Sequence, residues 1–327
     1  MAKISIIIPA FNVAGFIAET LDTVLANKAD MDIVVIDDAS TDATCDIVET
    51  YMQSHGTIRL LRSETNTGPG VARNRALATI DSEYCLFHDA DDMLNPGAID
   101  MVLHLMDATN IDIAVFKYSL LTSVDGTPQD MASESRRIWD TVVGERDVAI
   151  VDIDVDAGAQ FLVMVNYPWN KVYRTSFIRR VDLRFATARI NEDILPHWAG
   201  YMHAGRFLAI NRSLTVHRLI PGSAQHTNVS DERRLDIFPA LREAEDLFEK
   251  TPVFREKYYH LFLYFKWGLL RWAFLGVKPE LRGVFQEYVA LSYRSFTDQD
   301  FQTIYPVMPD LALMTHRVKY APGTLLD

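Results

Sequence analysis

The chain has 327 residues, of which 49% are apolar and 23% are charged, a mix that suits one large domain or two modest ones with a substantial core. Its net charge of −12 argues against a nucleic acid partner, because binding a polyanion needs a basic surface. The two cysteines lack metal-ligand spacing. No 18-residue stretch is free of charged residues, so we expect no membrane-spanning helix. No signal peptide precedes the first predicted strand, so we expect a cytoplasmic protein.

The first third of the chain alternates predicted strands and helices. Residues 4–8 form a β-branched run that is typical of a strand buried on both faces. Further strands are predicted at residues 32–36, 57–61, 84–88 and 113–120. Helices are predicted at residues 12–27, 40–56, 69–80 and 95–109, capped by Asn12, by Ser40 or Thr41, and by Asn95. This order predicts an α/β fold with a mostly parallel sheet and helices on both faces, in which ligands bind outside the carboxyl ends of the strands.

The rest of the chain is less regular. Residues 121–156 are polar and irregular, and we interpret them as a surface insertion. Short elements return at residues 157–226, and from about residue 231 the pattern becomes helical. We therefore predict an α/β domain at residues 1–228 and a C-terminal helical region at residues 229–327.

One segment of the helical region, residues 258–277, is rich in large apolar side chains. A helix here has one face with Lys257, Tyr264 and Arg271, whereas the opposite face is apolar apart from Lys266. Such a helix either packs in the core or lies on a membrane surface, where Trp272 would suit the headgroup zone.

Two aspartates follow the predicted strand at residues 84–88. Asp89 and Asp91 are two residues apart on an extended chain, so their carboxylates point to the same side and repel each other unless a cation lies between them. Hard oxygen ligands suit Mg²⁺ or Mn²⁺, which would bridge a diphosphate. The alternative is a solvated acidic turn. Asp92 should face away from its neighbours and cap the next turn.

Two other strand ends carry groups suited to a nucleotide. One carboxylate of the pair Asp37 and Asp38 can accept the imino N–H of uracil, while the other braces the loop through backbone amides. Gly68 and Gly70 flank Pro69 and open a helix whose N-terminus favours phosphate. The spacing of this turn differs from the G-x-G-x-x-G of dinucleotide-binding folds.

Four polar segments occur in a fixed order: residues 9–12, 37–42, 66–74 and 88–92. Together they resemble the nucleotide-binding half of the family 2 inverting glycosyltransferases, which have the Rossmann-like GT-A fold. The resemblance covers residues 3–120 and continues more loosely through residues 168–171, 191–193 and 217–223.

The resemblance implies a set of site residues. It assigns nucleotide binding to Pro9, Phe11, Asp38, Gly68, Arg73, Asp89 and Arg218. It assigns the metal to Asp91 as direct ligand, with Asp89 and His217 beside it. It assigns the general base to Asp193, since inverting transfer needs one carboxylate to take the acceptor proton as the hydroxyl attacks C1. Gly222 and Ser223 belong to the same late motif as His217.

The activity that the resemblance implies is transfer of a hexosyl or N-acetylhexosaminyl group from a UDP-sugar to a saccharide or lipid-linked acceptor. The biological setting suggested by analogy is a bacterial surface polysaccharide. Two alternatives stay open. A sugar-nucleotide nucleotidyltransferase would need a basic, glycine-rich loop after the first strand. Residues 9–12, which follow that strand, include no basic residue. A non-catalytic binding module would not need Asp89, Asp91 and Asp193 together.

Overall fold

The computed structural model describes residues 2–123, 126–219 and 229–320. The chain forms two compact units: the first comprises Met1–Thr187 and Pro196–Pro221, and the second comprises Ala188–Leu195 and Gly222–Asp327.

Among the described residues, the first unit is built on a ten-stranded sheet. Its strands are β1 (Ile4–Ala10), β2 (Met31–Asp37), β3 (Ile58–Arg62), β4 (Tyr84–Phe87), β5 (Met93–Leu94), β6 (Ile113–Leu121), β7 (Gln129–Asp130), β8 (Val148–Asp152), β9 (Lys171–Arg174) and β10 (Arg206–Arg218). They lie in the order β3-β2-β1-β4-β9-β6-β10-β5, with β7 beside β6 and β8 beside β10. Neighbours in β3-β2-β1-β4 run parallel, as do β6 and β10, whereas β9 is antiparallel to both β4 and β6.

Helices of the first unit flank the sheet, so the predicted α/β fold is confirmed. The helices are numbered through both units. The helices are α1 (Ile17–Leu25), α2 (Thr44–Ser54), α3 (Pro69–Leu77), α4 (Ala98–Thr109), α5 (Ser133–Val142), α6 (Asp156–Ala159), α7 (Thr175–Arg180), α8 (Ile194–Ala204), α9 (Ile237–Lys250), α10 (Pro252–Gly276), α11 (Arg282–Ser292), α12 (Asp298–Ile304) and α13 (Pro309–Tyr320). Short 3₁₀ helices lie at Gln160–Val163, Glu232–Asp236 and Pro279–Leu281.

Both faces of β1 are buried, as its continuous apolar run predicts. Ile4, Ile6 and Ile8 lie in one core cluster with residues of α1 and α4, and Ile7 on the opposite face is also fully buried. A central parallel strand has no solvated face, which is why its sequence does not alternate.

Several local predictions were wrong. Neither Ser40 nor Thr41 caps α2, which begins at Thr44 without a side-chain cap. Residues 121–156 are not an irregular insertion, because they contain β7, β8 and α5, and α5 buries Trp139. Asn12 does not cap α1: it has a φ of 52° and its side-chain oxygen accepts the Thr41 amide at 2.8 Å. Asn95 does not cap α4 either, since its side chain donates to the Ser213 carbonyl at 2.7 Å and the helix begins at Ala98.

The second unit contains α9–α13. Lys266, which interrupted the apolar pattern of α10, is fully buried and pairs with the Glu245 carboxylate of α9 at 3.0 Å. Tyr259 and Ser295 also donate to Glu245, so the charged pair sits in a network that links α9, α10 and the segment after α11. α10 is therefore largely a core helix. Among the described residues, no helix has the length and hydropathy needed to cross a membrane.

Candidate active site

The predicted nucleotide-binding residues of the first unit gather where adjacent parallel strands end. β1 and β2 are in register from Ile4 opposite Met31 to Ala10 opposite Asp37, and β4 lies on the other side of β1. The residues that follow these strands therefore share one edge of the sheet. Phe11, 45% exposed, follows β1, Asp38 follows β2, and the segment from His88 to Asp92 follows β4.

Asp38 ties the end of β2 to the loop before α3. Its buried carboxylate accepts the Thr67 amide at 3.0 Å, the Thr67 hydroxyl at 3.0 Å and the Gly68 amide at 2.7 Å. The Asp37 carboxylate accepts the Ser40 amide at 3.1 Å. Asp38 therefore shapes the loop in addition to any contact with a base.

Gly68 is the residue at which this loop turns into α3. Its φ of 92° and ψ of 159° lie where a side chain is strained, so glycine fits this position as no other residue does. Pro69 then begins α3, which leaves the first backbone amides of the helix directed at the edge of the sheet.

Arg73 of α3 is buried beneath this edge and faces the segment after β4. Its guanidinium lies 2.6 Å from the Asp89 carboxylate and stacks over the Phe185 ring at 5.0 Å. The ion pair is largely buried on the arginine side. Two of the predicted nucleotide-binding residues thus contact each other directly.

Asp89 and Asp91 are partly exposed, as a cation site needs. Within residues 2–123, 126–219 and 229–320, no three His, Cys, Asp or Glu side chains lie close enough together to hold a metal ion by themselves. The two carboxylates still fit a hard cation that takes its remaining ligands from phosphate oxygens and water, which is how Mg²⁺ and related ions commonly bind.

Asp92 connects this segment to β10. β5 pairs with β10 so that Met93 lies opposite Val216, which brings Asp92 next to His217. The Asp92 carboxylate is fully buried and lies 2.8 and 2.9 Å from Nδ1 of His217, and it accepts the Arg218 amide at 2.9 Å. The prediction that Asp92 caps the next turn was wrong, because its carboxylate faces β10.

Burial and charge shift the pKa values of the histidines at this edge in opposite directions. Burial lowers the pKa of His88 to about 4, so its imidazole is neutral at physiological pH. Burial also works against a charged His217, but the nearby carboxylates, chiefly Asp92, outweigh it and raise the His217 pKa above its ordinary value. Burial raises the pKa of Asp92 itself.

Aromatic rings hold His217 in place. The Trp169 ring stacks on His217 with centroids 4.8 Å apart, and the Tyr167 ring lies 5.1 Å away. Lys171 is buried and donates to the Tyr167 carbonyl and to the Asn170 side chain, so it braces the segment that carries these rings.

Arg218 has a partner that the sequence did not indicate. Its guanidinium lies 2.6 Å from the Glu19 carboxylate of α1 and 5.4 Å from the centre of the Phe16 ring. Gly222 and Ser223, the rest of the late motif, lie outside the described residues.

Asp193 belongs to the second unit and immediately precedes α8. It is partly exposed, whereas its neighbour Glu192 is buried. Asn191, with a φ of 58°, accepts the Ile194 amide at 3.3 Å and forms the turn that leads into α8.

Sequence reasoning did not find the contacts of Asp92 and Glu19 with β10. A third acid directly after Asp89 and Asp91 was a usable signal for Asp92, since a turn seldom needs three carboxylates. Glu19, on an exposed helix position, carried no such signal.

Comparison with known proteins shows similarity to glycosyltransferases. Residues 5–134 match the family model described as Glycosyl transferase family 2. Poly(ribitol-phosphate) beta-N-acetylglucosaminyltransferase TarS of Staphylococcus aureus is 28% identical over 216 residues, which are 64% of this chain and 34% of the relative. Poly(ribitol-phosphate) beta-glucosyltransferase of Bacillus spizizenii is 26% identical over 233 residues, 70% of this chain and 34% of the relative.

A third relative, succinoglycan biosynthesis protein ExoO of Rhizobium meliloti, is 25% identical over 248 residues, 75% of this chain and 67% of the relative. The chain spans about a third of the length of the first two relatives. Among solved structures, the fold is similar to that of S. aureus TarS, with a TM-score of 0.73 at 22% identity over 97% of this chain and 52% of that one. TarS 1–349 in complex with UDP-GlcNAc gives a TM-score of 0.70 at 20% identity over 97% and 87% of the two chains.

Proposed function

We propose that this chain, whose residues 5–134 match the glycosyl transferase family 2 model, transfers a sugar from a UDP-sugar to a hydroxyl of a saccharide acceptor, with inversion at the anomeric carbon. The observation that carries the proposal is the gathering of Asp38, the Arg73–Asp89 pair and Asp91 at the carboxyl edge of β1, β2 and β4. Open α/β sheets bind nucleotides at this edge.

The relatives indicate which donor to test first. TarS is named as an N-acetylglucosaminyltransferase and was crystallised with UDP-GlcNAc, and the Bacillus spizizenii relative is named as a glucosyltransferase. Both names describe acceptors that are poly(ribitol-phosphate) chains. We therefore propose UDP-GlcNAc or UDP-glucose as donor, and a saccharide or polyol-phosphate polymer of a bacterial surface as acceptor.

The binding residues have distinct proposed roles. Pro9 and the exposed Phe11 offer an apolar surface to the uracil ring, and Asp38 accepts its imino N–H. The Gly68 turn and the first amides of α3 face phosphate oxygens. Arg218 would exchange its contact with Glu19 for a phosphate oxygen, since a guanidinium binds phosphate at least as well as an exposed carboxylate.

Asp91, with Asp89 beside it, is proposed to hold a divalent cation, Mg²⁺ or Mn²⁺. When bound, such a cation neutralises the charge that develops on the leaving diphosphate. Arg73 holds the Asp89 carboxylate in place. Asp91 is proposed as the direct ligand, as the resemblance implies.

Asp193 is proposed as the general base. An ionised carboxylate can accept the proton of the acceptor hydroxyl as its oxygen attacks C1 of the donor sugar, while the bond from C1 to the diphosphate breaks. One such displacement inverts the anomeric centre. Asp193 is partly exposed, as a residue that meets an acceptor must be, whereas Glu192 is buried.

Calorimetry with a panel of sugar nucleotides tests the donor class. With Mn²⁺ present, we expect UDP-GlcNAc or UDP-glucose to bind more tightly than GDP-, CDP- or dTDP-sugars. Asp91→Ala should lose the part of the affinity that depends on Mn²⁺. Asp46→Ala, at an exposed position of α2, serves as a control that keeps it. Preference for a sugar nucleotide with another base would contradict the proposed donor.

We also propose that the exposed side of α10 contacts a membrane surface. Tyr264, Arg271, Trp272 and Leu275 fall on one exposed face, and Leu275 is 75% exposed. No Asp or Glu occurs from residue 257 to 279, in a chain whose net charge is −12. Wild-type protein should co-sediment with phosphatidylglycerol vesicles more than with phosphatidylcholine vesicles, and Leu275→Glu should bind less. Val307→Glu, at another exposed position, is the control. Equal sedimentation of all three proteins would refute the contact.

A further inference from the structure

Asp92 is the one carboxylate of the Asp89–Asp92 segment that faces away from solvent. We infer that Asp92 is a positioning residue, which fixes the tautomer and orientation of His217 so that its Nε2 lone pair is offered to the cation that accompanies the donor. The inference rests on the proposed function, because the cation enters with the nucleotide.

The hydrogen-bond geometry determines the tautomer. Both carboxylate oxygens of Asp92 lie within 2.9 Å of Nδ1 of His217, and Oδ1 also accepts the Arg218 amide, so the geometry is that of a carboxylate acting as acceptor. Nδ1 must therefore carry a hydrogen. A neutral imidazole has one N–H, so Nε2 is left with its lone pair.

Nε2 is buried and has no hydrogen-bond partner within residues 2–123, 126–219 and 229–320. A buried acceptor without a partner costs free energy, so such atoms are usually completed by a ligand or water. Stacking on Trp169 keeps the ring from turning away. A buried nitrogen lone pair that is fixed in this way suits a cation.

An imidazole nitrogen also favours some cations over others. Carboxylates and phosphates suit both Mg²⁺ and Mn²⁺, whereas nitrogen ligands shift preference toward the transition metal. Carboxylate partners of a metal-binding histidine typically change metal affinity by about 10- to 100-fold when they are mutated. We expect Asp92 to affect Mn²⁺ binding on this scale and Mg²⁺ binding less.

The first experiment needs no ligand. Nitrogen-15 NMR of the histidine side chains, at a pH where His217 is neutral, should show Nδ1 protonated and Nε2 unprotonated, with the signals assigned by comparison with His217→Gln. Asp92→Asn can also present an N–H to Nδ1, so it should yield a mixture of tautomers. A wild-type His217 protonated at Nε2 would overturn the inference.

The second experiment measures Mn²⁺ binding by electron paramagnetic resonance with UDP present. Asp92→Asn should weaken Mn²⁺ binding by about 10- to 100-fold, while UDP binding in chelator stays unchanged. Adding Asp92→Asn to His217→Gln should cause little further loss, since Asp92 acts through the histidine. Asp37→Asn, another buried carboxylate, is the matched control.

Unchanged Mn²⁺ affinity in Asp92→Asn would refute the positioning role while leaving the proposed function intact. If the wild type binds no UDP at all, the proposed function fails, and the NMR experiment still decides the tautomer. If Asp92→Asn does not fold, the comparison of wild type with His217→Gln decides whether Nε2 contributes to Mn²⁺ binding.

Discussion

Replacement of Asp38 by alanine separates base recognition from loop structure. Asp38 accepts three donors of the loop before α3, and the bond from the Gly68 amide is buried. Leaving that amide without an acceptor costs about 1–3 kcal/mol of folding stability. Asp38→Ala should therefore unfold at a lower denaturant concentration than wild type, and it should bind every nucleotide somewhat less well.

The base contact adds a loss that is specific to uracil. A hydrogen bond from the uracil imino group to a carboxylate is worth about 1.5–3 kcal/mol, which corresponds to roughly 10- to 100-fold in the Kd for UDP. Cytosine has no imino N–H at that position, so an ionised Asp38 discriminates against CDP. Damage to the loop affects UDP and CDP alike, and the ratio of their Kd values therefore isolates the base contact.

Titration calorimetry of both nucleotides measures that ratio. Wild type should prefer UDP, and Asp38→Ala should bring the two affinities close together. Asp37→Ala is the matched control, because Asp37 is equally buried and accepts the loop amide of Ser40. Asp37→Ala should keep the preference for UDP. If Asp38→Ala keeps the wild-type ratio, Asp38 does not read the base and serves the loop alone.

Three further predictions concern catalysis and stability. Asp193→Asn should cut UDP release by roughly 100-fold or more with donor affinity unchanged, while Glu192→Gln stays active; the reverse pattern would exchange their roles. His88 binds a proton in the unfolded chain but not in the folded one between its ordinary pKa of 6.5 and about 4. In chelator, the free energy of unfolding should therefore fall by about 3 kcal/mol as the pH drops through that window. In urea titrations, His88→Leu should show a weaker pH dependence of this free energy than wild type. The same pH dependence in both proteins would contradict the prediction. Lys266→Met should cost about 3–5 kcal/mol by leaving Glu245 buried without its cation, and adding Glu245→Gln should restore part of that in the same assay; no loss would contradict the pairing.

The parts of the fold with continuous local patterns were predictable from the sequence. The buried isoleucine run of β1 and the alternation of strands and helices to residue 121 gave the parallel core of the sheet, and with it the edge where ligands bind. β9 was not predictable in its place between β4 and β6, because a four-residue strand takes its position from long-range pairing and not from its own pattern.

The site was predictable to the extent that each residue follows a strand. Asp38, Asp89 and Asp91 could be placed on that basis, and the resemblance supplied their roles. Partners on distant elements could not be predicted: Asp92 meets His217 through pairing between β5 and β10, which are more than a hundred residues apart. Likewise α5 was missed because only a few of its side chains, such as Trp139, are buried, so its apolar signal is weak among polar residues.

The most direct test of the central claim is release of UDP from a UDP-sugar by the full chain, measured with acceptor polymer and Mn²⁺ present and then in chelator. The account predicts that UDP-GlcNAc or UDP-glucose supports turnover with Mn²⁺, that turnover is lost in chelator and in Asp91→Ala, and that the product linkage is inverted relative to the donor by NMR. Turnover that persists in chelator would contradict the metal assignment, and a product with retained configuration would contradict the single displacement.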